Sequence, residues 1–139
     1  PRAKGVCTDV LIRAYRDALG IDLQKLVHED MKAHFSAYPR NWGLRRPDRN
    51  IDHRRVPNLR TFFTRADAQL PLTQDAQAWQ PGDIFTSVID GRLPHTGIVS
   101  DRLAADGTPL VIHNIGGGAR EEPVLFDHQL TGRYRYGLG

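Results

Sequence analysis

The sequence predicts an α+β fold in which N-terminal helices pack on a meandering antiparallel β-sheet. Three observations carry this. Apolar residues recur at helical spacing only before Ala66, and runs rich in β-branched and aromatic residues occur only from Ile84 onward. The two patterns do not alternate along the chain, which argues against βαβ units and a parallel sheet.

The first helix is expected over residues 7–19, with Val10, Leu11, Ala14, Tyr15, Ala18 and Leu19 as its buried stripe and Gly20 as its stop. Asp22 caps a second helix that presents Leu23, Leu26, Val27, Met31, His34, Phe35 and Tyr38 to the core. On that pattern His34 is a core-edge histidine, and His28 on the other face is solvated. Periodicity vanishes over residues 39–57, a long loop of the kind that usually carries function. Asn58 caps a short helix reaching Ala66. Strands are expected at residues 84–89, 95–100 and 110–115, with two more at 123–126 and 133–136. Pro81-Gly82, Asp90-Gly91, Asp106-Gly107 and Gly116-Gly117-Gly118 supply the turns.

A chain of 139 residues reads as one domain, residues 1–139, that buries about two-thirds of its unfolded surface. With one cysteine, no intrachain disulfide can form. No apolar run approaches the ~20 residues of a membrane span. The chain begins at Pro1 rather than Met, so an upstream segment, such as a signal peptide, is expected to have been removed or left out.

The net charge is +3, and the basic residues are unevenly spread. Arg40, Arg45, Arg46, Arg49, Arg54, Arg55 and Arg60 crowd one stretch, offset only by Asp48 and Asp52. Such a cluster suits carboxylates, phosphates or an anionic polymer, and the plainer reading is a solvated loop with internal ion pairs. Trp42 stands there without an interleaved aromatic array, so nucleic acid is not an expected partner.

Cys7 is placed at a helix start, where unpaired amides and the helix dipole lower a thiol's pKa. His95 and His113 each fall in a strand. A cysteine nucleophile needs a base, and the base needs a third group to fix its tautomer. The two histidines oppose each other if their hairpin is centred on Ala104. A tight turn on Asp106-Gly107 would place them out of register, so the catalytic reading requires a wider loop over residues 101–107 or a bulge. Gly97 would leave room for substrate beside His95, and the Cys7 amide would hold an oxyanion. The plainer reading makes Cys7 a small core hydrophobe and both histidines packing residues. No CxxC, HExxH or histidine–carboxylate cluster indicates a metal, and the glycine run lacks a P-loop lysine, so no cofactor is expected.

The order of Cys7 on a helix, Pro81-Gly82-Asp83-Ile84-Phe85, His95-Thr96-Gly97-Ile98-Val99 and Ile112-His113 resembles the NlpC-type branch of papain-like cysteine peptidases. Cys7-Thr8-Asp9-Val10, residues 47–59 and Val111-Ile112-His113-Asn114-Ile115-Gly116 are also similar to a bacterial family of unknown function, the YijF-like proteins, over nearly the whole chain. The resemblance implies a papain-like, NlpC-type fold with Cys7 as nucleophile, His95 as base and His113 as third residue. Asn114, on the opposite strand face, ranks second for that role. It also implies a periplasmic or secreted protein acting on peptide or isopeptide bonds of peptidoglycan stem peptides. Thr8-Asp9 where Ser-Gly is frequent, and the arginine-rich insertion, depart from the common pattern.

The expected function is therefore a cysteine hydrolase of an amide bond, with Asn50, Asp52, His53, Arg54 and Arg55 binding substrate and Arg54 and Arg55 reading its carboxylates. A non-catalytic module holding an anionic wall polymer and a papain-like acyltransferase are the alternatives.

Overall fold

The computed structural model describes residues 2–39, 46–48 and 52–138, with side chains from Cys7 onward. Helices α1 (Arg2–Leu19), α2 (Leu23–Ala33) and α3 (Val56–Arg65) precede a sheet of six strands. These are β1 (Gln69–Leu70), β2 (Ile84–Ile89), β3 (Leu93–Leu103), β4 (Pro109–His113), β5 (Arg120–Glu122) and β6 (Gln129–Tyr134). Every pairing is antiparallel and the order is β1-β6-β2-β3-β4-β5. Strands β2 to β5 form the expected meander. β6 departs from it, because the chain returns from the β5 edge to lie between β1 and β2. Among the described residues no helix is long and apolar enough to cross a membrane.

Each sheet face buries its own core. The helices cover one face with Leu11, Ile12, Tyr15, Leu23, Val27, Met31, Leu59 and Phe63, which enclose Ile84 and Tyr134. On the other face Phe85, Val99, Val111 and Leu130 pack with Trp79 and Leu125 from irregular segments. β6 serves both cores through one bulge. Its register with β2 shifts between Thr86 and Ser87, so Tyr134 opposite Ile84 faces the helices while Leu130 opposite Ser87 faces away. An unbroken strand would put two residues four apart on the same face.

Several boundaries differ from the sequence expectation. α1 begins at Arg2, five residues before Cys7. α2 ends at Ala33, and exposed His34 is its C-cap. A 3₁₀ turn at Phe35–Ala37 then brings Tyr38 back to the core, its hydroxyl donating to Asp30 at 2.5 Å. α3 is entered through Arg55, because Pro57 fits the first turn of a helix, where its missing N–H costs nothing. Asn58 is thus interior and buried, donating to the Asp52 carbonyl at 3.0 Å. Pro123 cannot donate to a ladder, so the expected strand at 123–126 is a turn that drops Leu125 into the core.

Two buried carboxylates hold segments together. Asp83 accepts from the Gln80 amide at 2.9 Å, fixing the Pro81-Gly82 turn. It also takes both arms of the Arg135 guanidinium, Nε at 2.7 Å and Nη2 at 3.0 Å. Asp52 accepts from His28 Nδ1 at 3.0 Å and from the Asp48 amide at 2.9 Å. It ties α2 to the segment leading into α3, so His28 is engaged rather than solvated.

Removing the Asp83 carboxylate leaves the half-buried Arg135 guanidinium and the Gln80 amide without their acceptor. Asp83→Ala is expected to lower stability by about 2 kcal/mol. Asp22→Ala, which removes the cap bonded to the Lys25 amide and an exposed ion pair with Arg16, is expected to cost about 1 kcal/mol. Urea denaturation of the two variants beside the parent measures both, and a smaller loss at Asp83 than at Asp22 would refute the ranking.

Candidate active site

Three side chains form a row across β3, β4 and β5, on the sheet face away from the helices. Gly97 lies opposite His113, so His95 is two residues off direct opposition. His113 lies opposite Arg120, so Glu122 is offset by the same two residues. Diagonal neighbours in an antiparallel sheet are within reach of long and aromatic side chains. His95 Nε2 meets His113 Nδ1 at 2.9 Å, and His113 Nε2 meets Glu122 Oε1 at 2.7 Å. The direct opposition expected from the sequence is therefore replaced by a diagonal. The hairpin loop is wider than a two-residue turn, with the Ala104 amide donating to Thr108, and the register shifts between Val99 and Leu103. The shift is of two residues, so it leaves the facing of the rings unchanged and brings His95 to two residues from direct opposition instead of four.

The row fixes both tautomers. An ionised carboxylate only accepts, so a neutral His113 carries its proton on Nε2 and leaves Nδ1 bare. The bare Nδ1 can only accept, so His95 must donate from Nε2. His95 Nδ1 is then left with a lone pair, as a general base requires. Phe85 packs edge-on against the His95 ring, with centroids 5.9 Å apart. Burial, then the neighbouring His113 and His128, push His95 from 6.5 down to about 4, so the ring is neutral at pH 7.

Gly97 serves the neighbouring strands rather than substrate. A Cβ there would lie 2.6 Å from the Phe85 ring and 2.7 Å from the Ile112 carbonyl oxygen. Its absence lets Phe85 lie across β3 and buttress His95.

Cys7 approaches β3 from the helix side, at the residue after His95. It is buried on α1, and the Thr96 amide, one residue after His95, is directed at its sulfur together with the amides of Cys7 and Thr8. β2 occupies one edge of β3, while pairing with β4 begins only at Gly97. The Thr96 amide therefore points into the gap where β4 has ended, and the thiol sits at that gap. Because α1 starts at Arg2, the dipole and free amides of a helix end do not surround Cys7, and its amide is not one of the outward-facing donors of a first turn. Burial dominates and pushes the thiol up from 9.0 to about 11, opposite to the lowering expected from the sequence.

Four of the expected substrate-binding residues, Asp52 to Arg55, follow one another into α3. Asp52 is fully buried with both carboxylate oxygens engaged, His53 is buried as well, and neither is presented to a ligand. Both belong to a 3₁₀ turn, Asp52–Arg54, wedged among the three helices. Arg54 is exposed and Arg55 half-buried at the α3 entry. Asn50, with Arg40, Trp42, Arg45 and Arg49, lies outside the described residues. Asn114 turns out of the row, its Oδ1 accepting from the Gly116 and Gly118 amides at 2.9 and 3.2 Å.

Glu122 is the member that sequence reasoning missed. Arg120-Glu121-Glu122 has no apolar alternation and does not read as a strand. The usable signal was the glycine run after His113, which closes a hairpin and brings the following acids back beside β4.

Residues 1–136 match the model of a family described as a domain of unknown function, DUF1287. The chain belongs to this family. It is 57% identical over 136 residues to the uncharacterized protein YijF of Escherichia coli strain K12, a stretch that is 98% of this chain and 66% of that relative. No solved structure matches the chain.

Two measurements test this electrostatic picture. With the thiol near 11, alkylation by iodoacetamide should be slow at neutral pH and rise about tenfold per pH unit until pH nears 11. Fast alkylation below pH 8 would contradict the thiol form. For His95, the unfolded chain takes up a proton below 6.5 that the folded chain refuses until about 4. Stability is therefore whole above that window and falls as pH drops through it, by roughly 3 kcal/mol for this group. Urea midpoints at pH 7 and 4.5 should differ less in His95→Gln than in the parent, and equal differences would refute the assignment.

Proposed function

We propose that this chain is a cysteine hydrolase of the NlpC-type, papain-like kind, cleaving an amide bond in peptides of the bacterial cell wall, in the periplasm or outside the cell. The observation that carries the reading is the row Glu122–His113–His95. It leaves a bare Nδ1 on the residue adjoining the Thr96 amide that meets the Cys7 sulfur. A neutral base held in one tautomer beside a thiol is what nucleophilic catalysis requires. A bacterial relative at 57% identity is consistent with a wall substrate.

The chemistry starts from a neutral pair. As Cys7 Sγ attacks the scissile carbonyl carbon, its proton passes to His95 Nδ1. The Thr96 and Thr8 amides favour the charge developing on sulfur. The imidazolium is steadied through His113 by Glu122, which makes His113 and Glu122 positioning residues. Collapse of the tetrahedral intermediate breaks the C–N bond, and His95 returns the proton to the leaving amine. Water then attacks the thioester while His95 takes its proton, releasing a carboxylic acid and restoring the Cys7 thiol. An acyltransferase would differ only in the acceptor, an amine in place of water. The raised thiol pKa favours the rival reading of a non-catalytic wall-binding module.

Mass analysis of wall-peptide fragments incubated with the protein separates these readings. Hydrolysis adds one water across the cleaved bond, transfer joins the acyl fragment to an added amine, and a binding module leaves fragments intact. Cys7→Ala is expected to abolish cleavage, and His95→Ala to reduce it by about 10²–10⁴-fold. Glu122→Gln should retain more activity than Glu122→Ala, because an amide oxygen still accepts from His113 Nε2. Activity should persist to mildly acidic pH and fall as pH drops through about 4, where His95 is protonated. Cleavage that survives in Cys7→Ala would overturn the proposal.

A further inference from the structure

β5 carries a second charge on the face of the histidine row. Arg120 lies directly opposite His113, so it projects from the same face, with Glu122 two positions further on. Arg120 lines a cavity of about 230 Å³ with His113, Ile115, Gly117, Gly118 and Glu122.

The wall chemistry of this cavity is specific. Arg120 is exposed and, among the described residues, has no ion-pair partner, whereas Arg65, Arg102 and Arg135 are each held by a carboxylate. The acid on its own face, Glu122, is committed to His113 Nε2. Beneath the guanidinium lies a glycine floor. A Cβ on Gly117 would meet only Arg120 Nη2, at 3.5 Å, and one on Gly118 would meet nothing within 4 Å. Gly118 is at φ +99 and Gly116 at φ +117, conformations that side chains rarely adopt, and Asn114 Oδ1 holds both amides. Ile115, 59% exposed, supplies an apolar edge. The cavity is thus open and shallow, with one free cation beside an aliphatic wall.

We propose that this cavity is a subsite for a carboxylate-bearing group the size of a single amino-acid residue. The Arg120 fork takes the two oxygens, and the aliphatic part lies on Ile115. A guanidinium matches a carboxylate in two parallel hydrogen bonds. A dianion such as phosphate fits less well, because the Glu122 carboxylate borders the same space. The volume is below the ~300 Å³ at which drug-sized ligand pockets begin, which limits the occupant to a small group. Binding of a carboxylate stands on this geometry alone. Its use as a substrate subsite rests on the proposed hydrolase, since the cavity shares His113 and Glu122 with the row behind the candidate base. The carboxylate-reading role expected for Arg54 and Arg55 passes in this proposal to Arg120, an arginine outside the basic cluster.

The test is an NMR titration of the whole chain, reading the Gly117 and Gly118 amides and the Arg120 Nε–H. The probes are N-acetyl-L-alanine, its neutral C-terminal amide and inorganic phosphate. The acid should shift these signals saturably while the amide does not, and phosphate should bind more weakly than the acid. Arg120→Ala should weaken the acid about tenfold, and Arg120→Lys, which keeps charge without the fork, should fall between. Position 120 is exposed to solvent, and a Cys7 alkylation profile matching the parent's verifies that each variant is folded. Equal binding of acid and amide, tighter binding of phosphate, or an unchanged affinity in Arg120→Ala would overturn the subsite. Saturable acid binding by a chain that cleaves no wall peptide would overturn the hydrolase reading and leave the subsite standing. Cleavage whose KM for acid-ended and amide-ended peptides is the same in parent and Arg120→Ala would overturn the subsite and leave the hydrolase.

Discussion

A two-residue diagonal offset, used twice, organises this molecule. It joins β3 to β4 and β4 to β5, and each time it brings a ring nitrogen to a partner on the next strand. Register in an antiparallel sheet is an all-or-none property, because a slip by one residue sends every side chain to the opposite face. The shift between Val99 and Leu103 is therefore more than a local irregularity. Being a shift of two residues, it preserves the facing set by the hairpin and brings His95 from four residues to two from direct opposition to His113. Burial of Val99, Val111 and Phe85 on that face means that a one-residue slip would expose the second core.

Burial acts on the two central groups in opposite senses. It pushes the Cys7 thiol up and the His95 ring down, so each is held in its neutral form. A thiolate–imidazolium pair would need both shifts reversed. On the proposed mechanism the surroundings favour a proton transfer: amides face the sulfur, and the Glu122 carboxylate, reached through His113, steadies a positive ring. Those fixed dipoles have a larger effect on a transient charge in a dry site than they would in water. The cost, on the proposed mechanism, is a resting thiol of low intrinsic reactivity.

Much of the fold was legible in the sequence, for identifiable reasons. The run at Ile84–Ile89 reads as a strand because β-branched and aromatic residues fill both of its faces, and both faces are buried. α1 was legible through Val10, Leu11 and Tyr15, but its start was not, since Arg2-Ala3-Lys4-Gly5 contains no capping residue. β5 was hidden because a polar three-residue edge strand has no pattern of its own and exists only through its partner. Cys7, His95 and His113 could be picked out singly, since each is a rare residue type in a recognisable element. Glu122 and Arg120 could not, because acids and bases in a charged turn look solvated until the register is known. Asp52 misled for the same reason in reverse. Within a basic stretch it reads as a surface acid, yet His28, 24 residues away in sequence, meets it in the interior.

The position of Cys7 also bears on how such a site is kept. A nucleophile at a helix N-terminus draws on the dipole, and loses that support if the first turn frays. Here the sulfur lies inside α1 and takes its polar contacts from the Thr96 amide of the sheet as well as from its own helix. Its environment therefore depends on how α1 docks on β3, not on where α1 begins. Docking is set by the core of Leu11, Tyr15 and Ile84, and by the Tyr15 hydroxyl, which donates to the Tyr136 carbonyl at 2.7 Å just beyond β6. The same β6 carries Arg133, whose guanidinium donates to the Pro71 and Ala78 carbonyls and lies over Trp79. The strand that returns to the middle of the sheet thus anchors the helix on one face and closes the core on the other, and the relation of Cys7 to His95 follows from that double attachment.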